Sequence, residues 1–138
     1  ITHALGSCLG VVLFDPVAHV AGMLHAMLPE QSAAPQSRDN AAMFVDTGVP
    51  LLLARCLALG ANVRRLGVKV AGGARMGSGT TDYFKVGERN MTALRLALWK
   101  SSLLLRGQDV GGTSSRTMSV RASDGVVTVV GEAGTRRM

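Results

Sequence analysis

The run from Leu9 to Phe14 is apolar almost throughout, and a second such run from His19 to Leu28 follows it after Asp15-Pro16-Val17-Ala18. Two apolar runs parted by a short Asp-Pro turn predict an antiparallel hairpin. Pro29 to Arg38, rich in Gln, Ser, Ala and Pro, predicts a loop over the end of that hairpin. An apolar helix is expected from Asp46-Thr47-Gly48-Val49-Pro50 to Gly60, with Asp46 or Thr47 as N-cap and Pro50 in its first turn. Val68-Lys69-Val70-Ala71 alternates as a strand does and runs into a glycine-rich turn region, Gly72 to Thr81. Gly87-Glu88-Arg89-Asn90 opens a second helix, with Met91, Leu94, Leu98 and Trp99 as its apolar positions and Arg95 and Lys100 outside. Beyond Leu103 the apolar runs are short. Asp124-Gly125, between Ser119-Val120-Arg121-Ala122 and Val126-Val127-Thr128-Val129, predicts a hairpin with a two-residue turn. Gly131 to Met138, polar and basic, is expected to fray.

No internal repeat or linker divides the chain, so residues 1–138 are expected to form one domain of α+β class, a layered α/β sandwich. A hydrophobic share of 47% suffices for a core without staples, and 17 glycines mark a chain full of tight turns and close approaches. The chain begins at Ile1, and native residues before it are expected to be missing.

The net charge of +6 and isoelectric point near 10.4 raise the question of nucleic acid. The basic residues are scattered over separate elements, without a basic helix face or aromatic–basic alternation, so attraction to an acidic protein surface is the better reading. Asp15, Pro16 and repeated glycines interrupt the apolar N-terminal stretch, and no membrane span is expected. Leu5-Gly6-Ser7-Cys8 has the look of a lipoprotein cleavage box, but a strand rather than a polar tether follows its cysteine. The histidines at 3, 19 and 25 lack zinc-ligand spacing, the glycine run lacks the lysine of a phosphate loop, and Gly-x-Ser-x-Gly is absent. Neither a metal nor a cofactor is expected. Two cysteines, 8 and 56, make no CxxC pair; Cys56, on one helix side with Leu52, Leu53 and Leu59, reads as core, and a reducing cytoplasm is the expected compartment.

Cys8 and His25 are the candidate chemistry. If Phe14 pairs with His19, Cys8 falls directly opposite His25 on the same face of the hairpin. An imidazolium so placed lowers a thiol's pKa and makes a nucleophile. Gly6, Ser7 and Gly10 are small and leave backbone N–H groups open to an oxyanion. Register decides between this and two core residues, since a one-residue slip sends the pair to opposite faces.

Thr2, Leu5-Gly6-Ser7-Cys8-Leu9-Gly10-Val11, Phe14-Asp15-Pro16, Gly22 to Pro29, Gly72-Gly73-Ala74-Arg75-Met76, Gly87-Glu88-Arg89-Asn90 and Asp109-Val110-Gly111-Gly112 together resemble the CheD family of chemoreceptor glutamine deamidases. The resemblance implies a fold akin to the cytotoxic necrotising factor deamidases. It also implies hydrolysis of glutamine side chains on the cytoplasmic domain of methyl-accepting chemotaxis receptors. Cys8 is then the nucleophile, His25 the base and Thr2 the residue that orients the histidine, with Ser7 and Gly6 near the oxyanion. It further implies an alternative, a regulatory module that binds a CheC-type phosphatase. A different Cys-His acyl-transfer enzyme is a third reading. After Met76 and after Gly112 the chain departs from the family pattern, which bears on partner choice more than on catalysis.

Overall fold

A computed structural model describes residues 1–33, 39–77 and 85–138. The chain opens with β1 (Thr2–Leu5) and continues through β2 (Leu9–Asp15), β3 (Val20–Ala26), α1 (Val45–Ala58) and β4 (Gly67–Gly72). It then forms α2 (Val86–Lys100), β5 (Leu104–Val110), β6 (Arg116–Val120), β7 (Val127–Gly131) and β8 (Gly134–Arg137). The strands make two sheets, in the orders β1-β6-β7-β8 and β3-β2-β4-β5. Neighbours are antiparallel except β4 and β5, which run parallel because α2 carries the chain between them.

Strand β2 is the centre of the molecule. Leu9, Val11 and Leu13 point into a core shared with Val49, Leu52 and Cys56 of α1 and Leu94 and Leu98 of α2. Its other face, with Val12, joins Leu5, Ala71, Met118, Val127 and Val129 in a second core between the sheets. Helices, sheet and sheet are therefore stacked as layers, and a strand buried on both faces has no polar positions to alternate. This is a mixed α/β sandwich, as the α+β expectation required.

The hairpin is present in a different register. Asp15 pairs with Val20 and Gly10 with His25, so Cys8 is not opposite His25. The reason lies in the turn: Asp15, taken as its first residue, is the last of β2 and closes it by accepting hydrogen bonds from the N–H groups of Val17 (2.9 Å) and Ala18 (3.1 Å). Asp15 is wholly buried, and Arg65 Nη2 lies 2.9 Å from its Oδ2.

Four further expectations need correction. Helix α1 begins at Val45 with Phe44 as an uncapped N-cap, because Thr47 Oγ1 donates to Ala41 O (2.8 Å) and Asp46 accepts from Gln31 N (3.1 Å); Pro50 consequently lies past the first turn. Trp99, placed among the apolar positions of α2, is 77% exposed. The β6–β7 turn is longer than two residues, with Val120 paired to Val127, Arg121 N donating to Val126 O (3.0 Å) and Gly125 N to Arg121 O (2.8 Å). The tail expected to fray is β8, which pairs with β7 from Thr128–Arg137 to Gly131–Gly134. Cys56 is buried core, as expected. Much of the Pro29–Arg38 loop, and the glycine-rich run from Ser78 on, lie outside the described residues.

Candidate active site

Gly10 and His25 are direct partners, so their side-chain directions share a face, and Cys8, two residues before Gly10, belongs to the same side. The register differs from the expected one by an even step, which preserves that face. Cys8 becomes a diagonal rather than a direct neighbour of His25, a relation in which strand positions lie roughly 7–8 Å apart and long side chains still meet. The paired ladder ends at Leu9–Ala26, and Cys8 sits in the bend just before it.

The other sheet completes the constellation. Thr2 Oγ1 lies 2.7 Å from His25 Nδ1 in a hydrogen bond that joins β1 to β3. Gly10 leaves room at this closure: a Cβ there would stand 2.7 Å from Leu5 Cδ1 and 2.8 Å from Met118 Sδ, and the ends of those two side chains would have to shift. Strand β1 is itself irregular, with its register shifted between Thr2 and Leu5 and Ala4 at φ 55°. Non-glycine residues held at positive φ cluster at functional sites.

The backbone before and at Cys8 is turned so that its carbonyls face inward. Gly6 O accepts from Ala74 N (2.8 Å) and Cys8 O from Gly73 N (2.9 Å). Ser7 O accepts from Asn90 Nδ2 (2.9 Å). Gly72 and Gly73, at φ 111° and 61°, allow the chain to wrap this close, and a Cβ on Gly72 would collide with Cys8 O. Among the described residues no backbone acceptor takes the N–H of Ser7 or of Cys8. The Cys8 N–H faces its own sulfur, and with the Ser7 N–H it forms a pair of adjacent backbone donors beside the thiol, the kind of group an oxyanion needs.

Burial pushes the Cys8 thiol up from its ordinary value, opposed in part by its own backbone N–H. That is opposite to the depressed pKa expected of a thiolate–imidazolium pair. A thiol so raised has to give up its proton if it is to attack as a nucleophile. Both cysteines are free.

Asn90 was read only as part of a helix opening. It is fully buried, and its Nδ2 donates to Met27 O (3.1 Å) as well as to Ser7 O, while Oδ1 has no partner among the described residues. An asparagine within the apolar face Asn90, Met91, Leu94, Ala97 and Leu98 is the signal in the sequence that could have found it. The remaining histidines go elsewhere: His3 Nδ1 lies 3.4 Å from Thr117 Oγ1 and His19 Nδ1 3.0 Å from Ser123 O. Among the described residues no group of His, Cys, Asp or Glu is placed to hold a metal. The Asp109-Val110-Gly111-Gly112 block is held from Arg116, whose Nε donates to Asp109 Oδ1 and Nη2 to Gly111 O, both at 2.7 Å. A cleft of about 150 Å³ lined by Gly73, Arg75, Glu88, Gly111 and Gly112 lies beside the glycine segment. No helix among the described residues is long and apolar enough to cross a membrane.

A cysteine in the bend before β2, a histidine on the neighbouring strand and a hydroxyl on that histidine's Nδ1 are residue types that thiol-dependent amide hydrolases use. A family model described as CheD chemotactic sensory transduction matches residues 27–130. A protein of Solibacter usitatus named probable chemoreceptor glutamine deamidase CheD is 47% identical over 125 residues, covering 90% of this chain and 73% of the relative. One from Syntrophus aciditrophicus, named probable chemoreceptor glutamine deamidase CheD 1, is 39% identical over 138 residues, 99% of this chain and 86% of the relative. A third, from Halalkalibacterium halodurans and named chemoreceptor glutamine deamidase CheD, is 42% identical over 119 residues, 85% of this chain and 74% of the relative. The chain belongs to the CheD family.

Proposed function

We propose that this protein is a protein-glutamine glutaminase that converts glutamine side chains on the cytoplasmic domain of chemoreceptors to glutamate, releasing ammonia. The names of its relatives support the substrate class. The observation that carries the chemistry is the hydrogen bond of Thr2 Oγ1 to His25 Nδ1 beside the inverted Cys8 segment. In the tautomer whose Nδ1–H donates to Thr2, Nε2 is left unprotonated and able to take a proton.

His25 Nε2 takes the Cys8 proton as sulfur attacks the glutamine Cδ, and the carbonyl electron pair moves onto oxygen between the N–H groups of Ser7 and Cys8. Gly6 contributes its shape, which lets the loop turn, and its carbonyl anchor. Collapse of the tetrahedral adduct breaks the Cδ–N bond, and His25 returns the proton to the leaving nitrogen as ammonia. Water then gives a proton to His25 and its oxygen to the thioester carbon; the carbon–sulfur bond breaks, the proton returns to sulfur, and glutamate is released. The residues supply acid, base and nucleophile without a metal or organic cofactor. Two free cysteines accord with a cytoplasmic, reducing home. The layering of helices, sheet and sheet accords with a fold akin to the cytotoxic necrotising factor deamidases.

Mass spectrometry of a chemoreceptor cytoplasmic fragment, incubated with this protein or with Cys8→Ala, tests the reading. A gain of about 1 Da at defined glutamines with the unmutated protein only is the expected result of the thioester route. Equal gain with Cys8→Ala refutes the mechanism, and no gain with either turns the reading to a module that holds a CheC-type phosphatase.

A further inference from the structure

Beyond Leu9–Ala26 the β2–β3 ladder stops, and its next rung would join Cys8 to Met27. A side chain from a helix occupies that place: the Asn90 amide donates one N–H to Ser7 O at 2.9 Å and the other to Met27 O at 3.1 Å. Ser7 adjoins the nucleophile, and Met27 lies two residues beyond His25. One buried group therefore fixes the segment of the nucleophile relative to the strand of the base. The two carbonyls also fix which way the amide points, since the flipped group would set Oδ1 against two acceptor oxygens. The cost is an Oδ1 buried without a partner among the described residues, so the side chain is used for its donors alone.

We propose that Asn90 is a positioning residue for catalysis, a replacement rung that holds Cys8 and His25 at reacting distance without touching substrate. This inference rests on the catalytic reading given above. Asn90→Leu keeps the approximate volume and removes both donors, and Asn90→Ser keeps one donor for two carbonyls. Leu94→Ala, one turn along α2 and equally buried, is a control that loosens the same helix without touching either carbonyl. Deamidation is followed by ammonia release from a chemoreceptor fragment, at a temperature where circular dichroism shows each variant folded.

Displacements near 1 Å at a reacting pair cost about 10²-fold, so Asn90→Leu is expected to lose that much in kcat. KM should stay within about threefold, because binding is unaffected. Asn90→Ser should fall between Asn90→Leu and the unmutated protein, and Leu94→Ala should keep its kcat while losing thermal stability. Undiminished kcat in Asn90→Leu and Asn90→Ser, or an equal loss in Leu94→Ala, overturns the proposal. Cys8→Ala in the same assay separates the two failures: an active Cys8→Ala overturns the catalytic reading itself, whereas an inactive one beside fully active Asn90 variants overturns only the clamp.

Discussion

Replacing Thr2 with valine removes one oxygen and keeps the branched shape of the side chain, so the pairing of Thr2 with Met118 and the fit of β1 over Gly10 should survive. What is lost is the 2.7 Å hydrogen bond to His25 Nδ1. In the transition state that bond runs from an imidazolium, and hydrogen bonds to charged groups are worth roughly 1.5–3 kcal/mol. His25 is exposed, so the lower end applies. At about 1.36 kcal/mol per decade, a loss near 1.5 kcal/mol is about tenfold in kcat/KM. Thr2→Ser restores the oxygen and should stay within about threefold of the unmutated protein, the cost of a freer rotamer. Ammonia release from a receptor fragment, coupled to reductive amination of 2-oxoglutarate and read as NADPH oxidation, measures both variants across substrate concentration. Full activity in Thr2→Val, or a loss in Thr2→Ser as large as in Thr2→Val, would refute the orienting role and leave the bond a structural tie between sheets.

Two further outcomes follow from the charges. Because burial raises the Cys8 thiol, alkylation by iodoacetamide, mapped at Cys8 by peptide mass spectrometry, should be slow at neutral pH and reach half its limiting rate above the usual value of about 8.5; a midpoint below that value contradicts the resting thiol. Arg65 and three backbone N–H groups hold the Asp15 carboxyl far below the usual carboxylate range. A depressed native pKa stabilises the fold above the unfolded value of about 3.9 and is lost as pH falls through the native one. Asp15→Asn should therefore melt at lower temperature than the unmutated protein near neutrality, with a gap that narrows below about pH 4; a gap that widens toward acid would be the wrong sign.

Some of this was readable from residues and some was not. The β2–β3 hairpin was legible as two apolar runs about a turn, and α2 and β4 from their apolar spacing. The face shared by Cys8 and His25 survived an error in register because the error was even; Asp15, equally at home ending a strand or opening a turn, caused it. The β8 strand was illegible for a physical reason: Gly134-Thr135-Arg136-Arg137 is exposed throughout and holds to β7 by backbone bonds, so no apolar alternation announces it. The family blocks marked Thr2, whose contact lies 23 residues away. Asn90, 83 residues from Ser7, gave only the signal of a polar residue on an apolar helix face. Long-range hydrogen bonds leave little trace in local pattern.

The pairing of β1 with β6, which sets Thr2 beside Met118, also has a temporal meaning. On a ribosome, β1 emerges before β2 to β5, yet its strand partner β6 follows only after all of them. Contacts this distant in sequence form late, after loop closure has become affordable. The proposed nucleophile and base lie at the β2–β3 hairpin, but the hydroxyl proposed to aim the base is set in place by β6. A nascent or truncated chain that lacks β6 therefore carries the thiol without the aim, and the appearance of deamidation would serve as a clock for the docking of β1 on β6.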